Sequence, residues 1–175
     1  VREDMAMPCT RKDFLATGVM TALAGCAGLQ GARAGRFAMN ASTLRGYNLT
    51  LLDQMKAMAL SGFRGYEPWM KDIRAAKADG TLGDVCRIAR DSGVSFINGI
   101  AFGQWVNPDP KIRAAGLEET KSDMALLAEI GCPCVAASMF GMQKPGSPNL
   151  PLEAIAERYV AVLDLGKKMG VRPLL

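Results

Sequence analysis

Along the chain, short apolar runs alternate with stretches in which apolar residues recur every three to four positions. Residues 37–43 read as a strand and 44–47 as a loop. Thr50 stands where a helix cap is wanted; Leu51, Leu52, Met55, Met58 and Ala59 then share one helical face, and Ser61-Gly62 stops the helix. Residues 65–69 form a second strand closed by Pro68. Thr81 opens a helix carrying Leu82, Val85, Cys86, Ile88 and Ala89, ended by Ser92-Gly93. Residues 94–101 read as one continuous third strand, followed by a long loop, 102–110. Residues 111–130 give the clearest helix, with Thr120, Met124, Leu127 and Ala128 spaced for burial and Glu118, Glu119, Ser122 and Asp123 on the solvated side. Gly131 ends it. Residues 134–138 make a fourth strand, a Gly/Pro/Ser loop covers 141–151, a fourth helix runs over about 152–169, and Val171 begins a fifth strand.

Strand and helix alternate throughout, and each helix is long enough for a right-handed crossover, so the strands are expected to be parallel. Strand starts at Phe37, Gly65, Val94, Cys134 and Val171 approach the roughly 30-residue repeat of an eight-unit barrel. A doubly wound open sheet is the main rival, but the turn after the first strand, Asn40 to Gly46, lacks that fold's glycine-rich pattern. The expected fold is α/β: a partial (β/α)8 TIM barrel of about four and a half β/α units.

The residues before 35 have a different pattern. Thr10-Arg11-Lys12-Asp13-Phe14-Leu15 precedes an apolar stretch, 16–23, too short to span a bilayer permanently. The hexapeptide resembles a twin-arginine (Tat) export motif with Lys12 in place of the second Arg. Residues 1–34 therefore read as a signal peptide, with translation starting at Met5 or Met7, and 35–175 as the N-terminal half of the barrel. Two cleavage patterns fit: Leu23-Ala24-Gly25-Cys26 resembles a lipobox that would lipidate Cys26 and make a lipoprotein, and Ala32-Arg33-Ala34 fits ordinary signal peptidase. Either way the expected location is the periplasm, with a lipid anchor at the membrane under the first pattern. The first residue, Val1, and the apolar end at Leu175 both read as cuts in a longer frame.

Composition is that of an ordinary globular protein, 49% hydrophobic and 22% charged, and the net charge of +4 is too weak and dispersed to indicate a nucleic-acid partner. Histidine is absent, which removes the commonest general base and metal ligand. Cys132-Pro133-Cys134 has the wrong spacing for a zinc knuckle or a Cys-x-x-Cys redox pair; Cys86 and Cys134 read as small buried hydrophobes.

In a barrel of this kind the reactive face collects residues at the C-terminal ends of strands. Those are Asn40 and Ser42 at the end of the first strand, Glu67 and Trp69 at the second, Gln104 and Trp105 after the third, and Ser138 at the fourth. Glu67 is a carboxylate in an apolar strand, costly to bury unless paired. It either orients a substrate or pairs with a neighbour such as Asn40 for structure alone. Trp69 and Trp105 either wall a sugar face or pack over the barrel mouth. The substrate-binding candidates are thus Asn40, Glu67, Trp69, Gln104, Trp105 and Ser138; no catalytic residue or metal ligand is expected among the residues present.

Phe37-Ala38-Met39-Asn40-Ala41-Ser42-Thr43 and Ser61-Gly62-Phe63-Arg64-Gly65-Tyr66-Glu67-Pro68-Trp69 look like the first two strands of a known family. Gly80-Thr81-Leu82, Gly116-Leu117-Glu118-Glu119 and Gly170-Val171-Arg172-Pro173 follow in register. The chain resembles the sugar phosphate isomerase/epimerase family of xylose isomerase-like barrels over nearly all of 37–175. That resemblance implies a divalent metal (Mn, Mg or Zn) held by carboxylates and a His on later strands, with Glu residues moving a proton beside a carbonyl. The first such Glu usually ends the fifth strand, where this chain stops, so no ligand carries over. The resulting expectation is a metal-dependent isomerase or epimerase of a sugar or small keto-acid, with the 175-residue fragment itself inactive. An exported, non-catalytic carbohydrate-binding barrel is the alternative.

Overall fold

The computed structural model describes residues 37–142 and 149–175. The expected signal peptide, both cleavage patterns and Cys26 lie outside the described residues. From residue 38 the chain runs β1 (Ala38–Asn40), a 3-10 helix (Ala41–Tyr47), α1 (Leu51–Ser61), β2 (Gly65–Glu67), α2 (Met70–Ala78) and α3 (Leu82–Ser92). It continues with β3 (Ser95–Phe96), β4 (Gly99–Ala101), α4 (Pro110–Glu129), β5 (Cys134–Ala137), α5 (Leu152–Met169) and β6 (Arg172–Leu174). Every pairing is parallel, in the orders β1-β2-β3 and β4-β5-β6. A parallel bridge between Trp69 and Ile100 joins the two patches into one curved wall of short staves.

Local signals account for the helices. Thr50 Oγ1 accepts from Asp53 N at 3.2 Å to start α1, and Gly62 at φ 79° closes it. Asp109 Oδ1 accepts from Lys111 N at 2.8 Å, and Pro110 opens α4 where no amide donor is needed. The helix-facing side of the sheet carries Tyr66, Phe96, Ala101 and Val135, all buried against Met55, Met58, Ile73, Val85, Met124 and Leu127. Tyr66 lies wholly inside this layer, its hydroxyl donating to Gln54 Oε1 of α1.

Four expectations need correction. The first strand ends at Asn40, because Asn40 Oδ1 accepts from Ser42 N at 2.9 Å and turns the chain into the 3-10 helix; Ser42 therefore sits in that turn. Residues 70–78, for which periodicity predicts no element, form α2, with Met70, Ile73 and Ala76 buried. Asp123 is 1% exposed, not solvated, because Arg74 of α2 reaches across to it; Ala128 is exposed in its place. The continuous strand over 94–101 is broken. Tyr66 pairs with Phe96, thirty positions on, whereas Trp69 pairs with Ile100, thirty-one on, so one extra residue is inserted between them.

Candidate active site

Alternation along a strand decides which residues face the barrel interior. Tyr66 points to the helices, so Gly65 and Glu67 point inward. A Cβ on Gly65 would meet Ala38 Cβ at 2.9 Å and Ile97 Cγ2 at 3.3 Å, which puts Ala38 and Ile97 on that inner face too. One level higher, at the strand tips, Asn40 Nδ2 donates to Glu67 Oε2 at 2.8 Å, and Asn98 Nδ2 lies 3.5 Å from Glu67 Oε1. Both carboxylate oxygens thus face an amide, and Glu67 stays half-buried, open toward the mouth.

Above this polar level lies an aromatic one. Trp69 Nε1 donates to Ser42 Oγ at 3.1 Å, and Lys71 Nζ sits 4.3 Å above the indole. Phe102 meets Trp69 edge-on at 6.1 Å between centroids, and Phe140 meets Phe102 at 5.2 Å. Phe102 and Phe140, after β4 and β5, are 39% and 43% exposed, so their rings line the mouth where solvent reaches. Neither was singled out from sequence. The usable signal is position: Phe102 directly follows β4 and Phe140 lies in the loop three residues past β5, both on the side where strands end.

The other candidates separate. Trp105 is 1% exposed, its Nε1 donating to Ala137 O at 3.2 Å and its ring against Tyr159 at 5.5 Å, so it packs in the core. Gln104 is tied into its own loop, where Oε1 accepts from Asn107 Nδ2 at 3.0 Å. Ser138 Oγ donates to Ala101 O at 3.0 Å and joins the tips of β4 and β5. Asn40, Glu67 and Trp69 remain together at the mouth. Cys132, ahead of β5 rather than behind it, is buried, and burial pushes its thiol up to about 11.

A divalent metal needs several hard oxygen or nitrogen ligands converging. Among the described residues no three His, Cys, Asp or Glu side chains come together, and Glu67 is the one carboxylate of the polar level. These residues do not fit such a cage.

No family model matches the chain, and no curated protein matches it. Solved structures do. Protein SMc04130 from Sinorhizobium meliloti 1021 superposes with a TM-score of 0.62 at 21% identity, over 79% of this chain and 49% of that one. D-psicose 3-epimerase from Clostridium cellulolyticum H10, with D-tagatose, gives 0.59 at 15% identity, over 73% and 46%. The 3-keto-D-glucoside 4-epimerase YcjR from E. coli gives 0.55 at 16% identity, over 72% and 50%. The fold of the described residues is therefore a partial, parallel TIM-type barrel, as expected from the sequence. The chain spans about half the length of the structures it matches.

Proposed function

We propose that the protein is a sugar isomerase or epimerase whose substrate enters at the strand tips and rests on the Asn40–Glu67 pair. One observation carries the reading: a half-buried carboxylate with each oxygen facing an amide, set beneath a partly exposed aromatic wall. A sugar presents the matching pair of surfaces. Its hydroxyls donate to a carboxylate, and the C–H face of its ring or chain lies against Phe102, Phe140 and the Trp69 edge. Glu67 then orients a hydroxyl, while the rings exclude water from the reacting carbons. Two of the matched structures carry sugar-epimerase names, which favours the same substrate class.

In this reading the divalent metal belongs to residues beyond those described, in a longer protein. Bound there, it would make a C–H beside a carbonyl acidic. We extend the proposal to location: Arg11-Lys12 and the apolar stretch 16–23 direct the protein out of the cytoplasm.

The test is incubation of the whole protein, loaded with Mn2+, with a panel of ketoses in D2O. The expected result is interconversion of epimers with solvent deuterium on the epimerised carbon, and a fall of roughly tenfold or more in kcat/KM for Glu67→Gln. No turnover of any ketose or keto-acid by metal-loaded protein overturns the enzyme reading.

A further inference from the structure

The extra residue in the third strand has a consequence for the mouth. Phe96 faces the helices, and so does Gly99, where an added Cβ would meet Leu127 Cδ2 at 2.5 Å. Two residues lie between them, so strict alternation cannot hold. Ile97 takes the inner face beside Gly65, and Asn98, the next residue, faces inward as well. In an unbulged strand Asn98 would point into the apolar helix layer. The insertion turns its amide to Glu67 instead, the kind of re-aiming for which bulges beside functional sites are kept.

That placement has a cost. Asn98 Oδ1 is buried and has no hydrogen-bond partner among the described residues. Turning the amide over would not help, because Oδ1 would then face the Glu67 carboxylate oxygen at the distance Nδ2 now occupies. A packing residue at this position would be apolar; an amide with its acceptor end unsatisfied loses stability relative to one. The gain lies on the other end of the amide, at Glu67.

We infer that Asn98 is a positioning residue: presented by the bulge, it holds the second oxygen of Glu67 while Asn40 holds the first, so that the carboxylate meets a sugar hydroxyl in one fixed orientation. The inference rests on the proposed sugar site, and deepens it by assigning a residue that acts only through Glu67. Asn40 alone leaves Oε1 free to swing about the Oε2 contact; two amides, one at the end of β1 and one at the bulge between β3 and β4, remove that rotation before the ligand arrives.

The experiment combines two readouts on the full chain. The first needs no sugar: side-chain methylene relaxation of Glu67 in wild type and in Asn98→Leu. The expected result is a lower order parameter for Glu67 in the variant with Tyr66 unchanged, and an unchanged Glu67 overturns the inference. The second is affinity for a ketose across a double-mutant cycle of Asn98→Leu and Glu67→Gln. Asn98→Leu should weaken binding by about tenfold in the wild-type background and not further in Glu67→Gln, with a melting temperature equal to or above wild type. Losses that add in the double variant, or a melting temperature that falls with the affinity, make Asn98 a packing residue and overturn it. Asn98→Ser serves if Asn98→Leu does not fold. Should wild type bind no sugar, the proposed function fails, and the Glu67 relaxation alone decides the role of Asn98.

Discussion

Asp123 lies one turn beyond Glu119 on α4 and is 1% exposed, with Arg74 Nη1 donating to its Oδ1 and no partner for its Oδ2 among the described residues. Burial is the largest influence on this carboxyl and holds it above the ordinary aspartate value of 3.8; Arg74 pulls it back, and Glu119 pushes it up again. The folded chain thus binds this proton more tightly than the unfolded chain. Its contribution is fully present below 3.8 and is lost as pH rises through the higher folded value. Asp123→Asn has nothing to ionise there and still offers Arg74 a carbonyl. The melting temperature of the variant should therefore gain on that of wild type as pH goes from about 4 to 7, measured as paired thermal melts. A difference that shrinks over that range would show that Arg74, not burial, governs the carboxyl. Glu119 and Asp123 are one helical turn apart, and periodicity assigns both to the solvated stripe; what buries one is the reach of Arg74 from α2, a contact between elements.

Glycine at position 116 shows the same limit for whole elements. A Cβ there would meet Gln104 backbone atoms at 2.5, 2.7 and 2.8 Å, so α4 and the loop that precedes it touch backbone to backbone. Gly116→Ala should lower stability by about 1–3 kcal/mol, because backbone rather than a flexible side chain must move. Gly83, in α3 with nothing within 4 Å, provides the contrast. Gly83→Ala should raise stability by about 0.5–1 kcal/mol through the unfolded chain alone. Urea unfolding with matched m-values checks both. α1 was legible in sequence through its caps, Thr50 and Gly62, and α5 through its eighteen-residue length and the Gly170 that ends it. α2 was not, since Trp69 supplies no side-chain cap and only Met70, Ile73 and Ala76 mark its buried face. The polar half of the mouth was legible as Asn40 and Glu67, because polar atoms in apolar strands announce themselves. Asn98 was not, because its direction depends on a bulge that only pairing with β2 defines.

At the scale of the molecule, the order of strands and their parallel sense follow from alternation of two hydrophobic periods, and the inner and outer faces follow from alternation within each strand. What alternation leaves unspecified is how the curved wall ends. β1 and β6 each pair on one side among the described residues, and large apolar residues flank both: Phe37 is 71% exposed, Leu174 38% and Leu175 72%. A parallel edge with free backbone groups and apolar side chains is a template for another strand. The 175-residue chain should accordingly self-associate as its concentration rises, read by light scattering on a sizing column. Phe37→Lys with Leu174→Lys should return it to a monomer, because a lysine on each edge blocks strand addition without touching the helix layer. If the doubly substituted chain remains associated, the contact lies instead on the outer face of α5, where Leu152, Val160 and Leu163 are 75%, 53% and 37% exposed. Charging Val160 would then be the change that separates the copies, and the strand edges would be shown to be quiet.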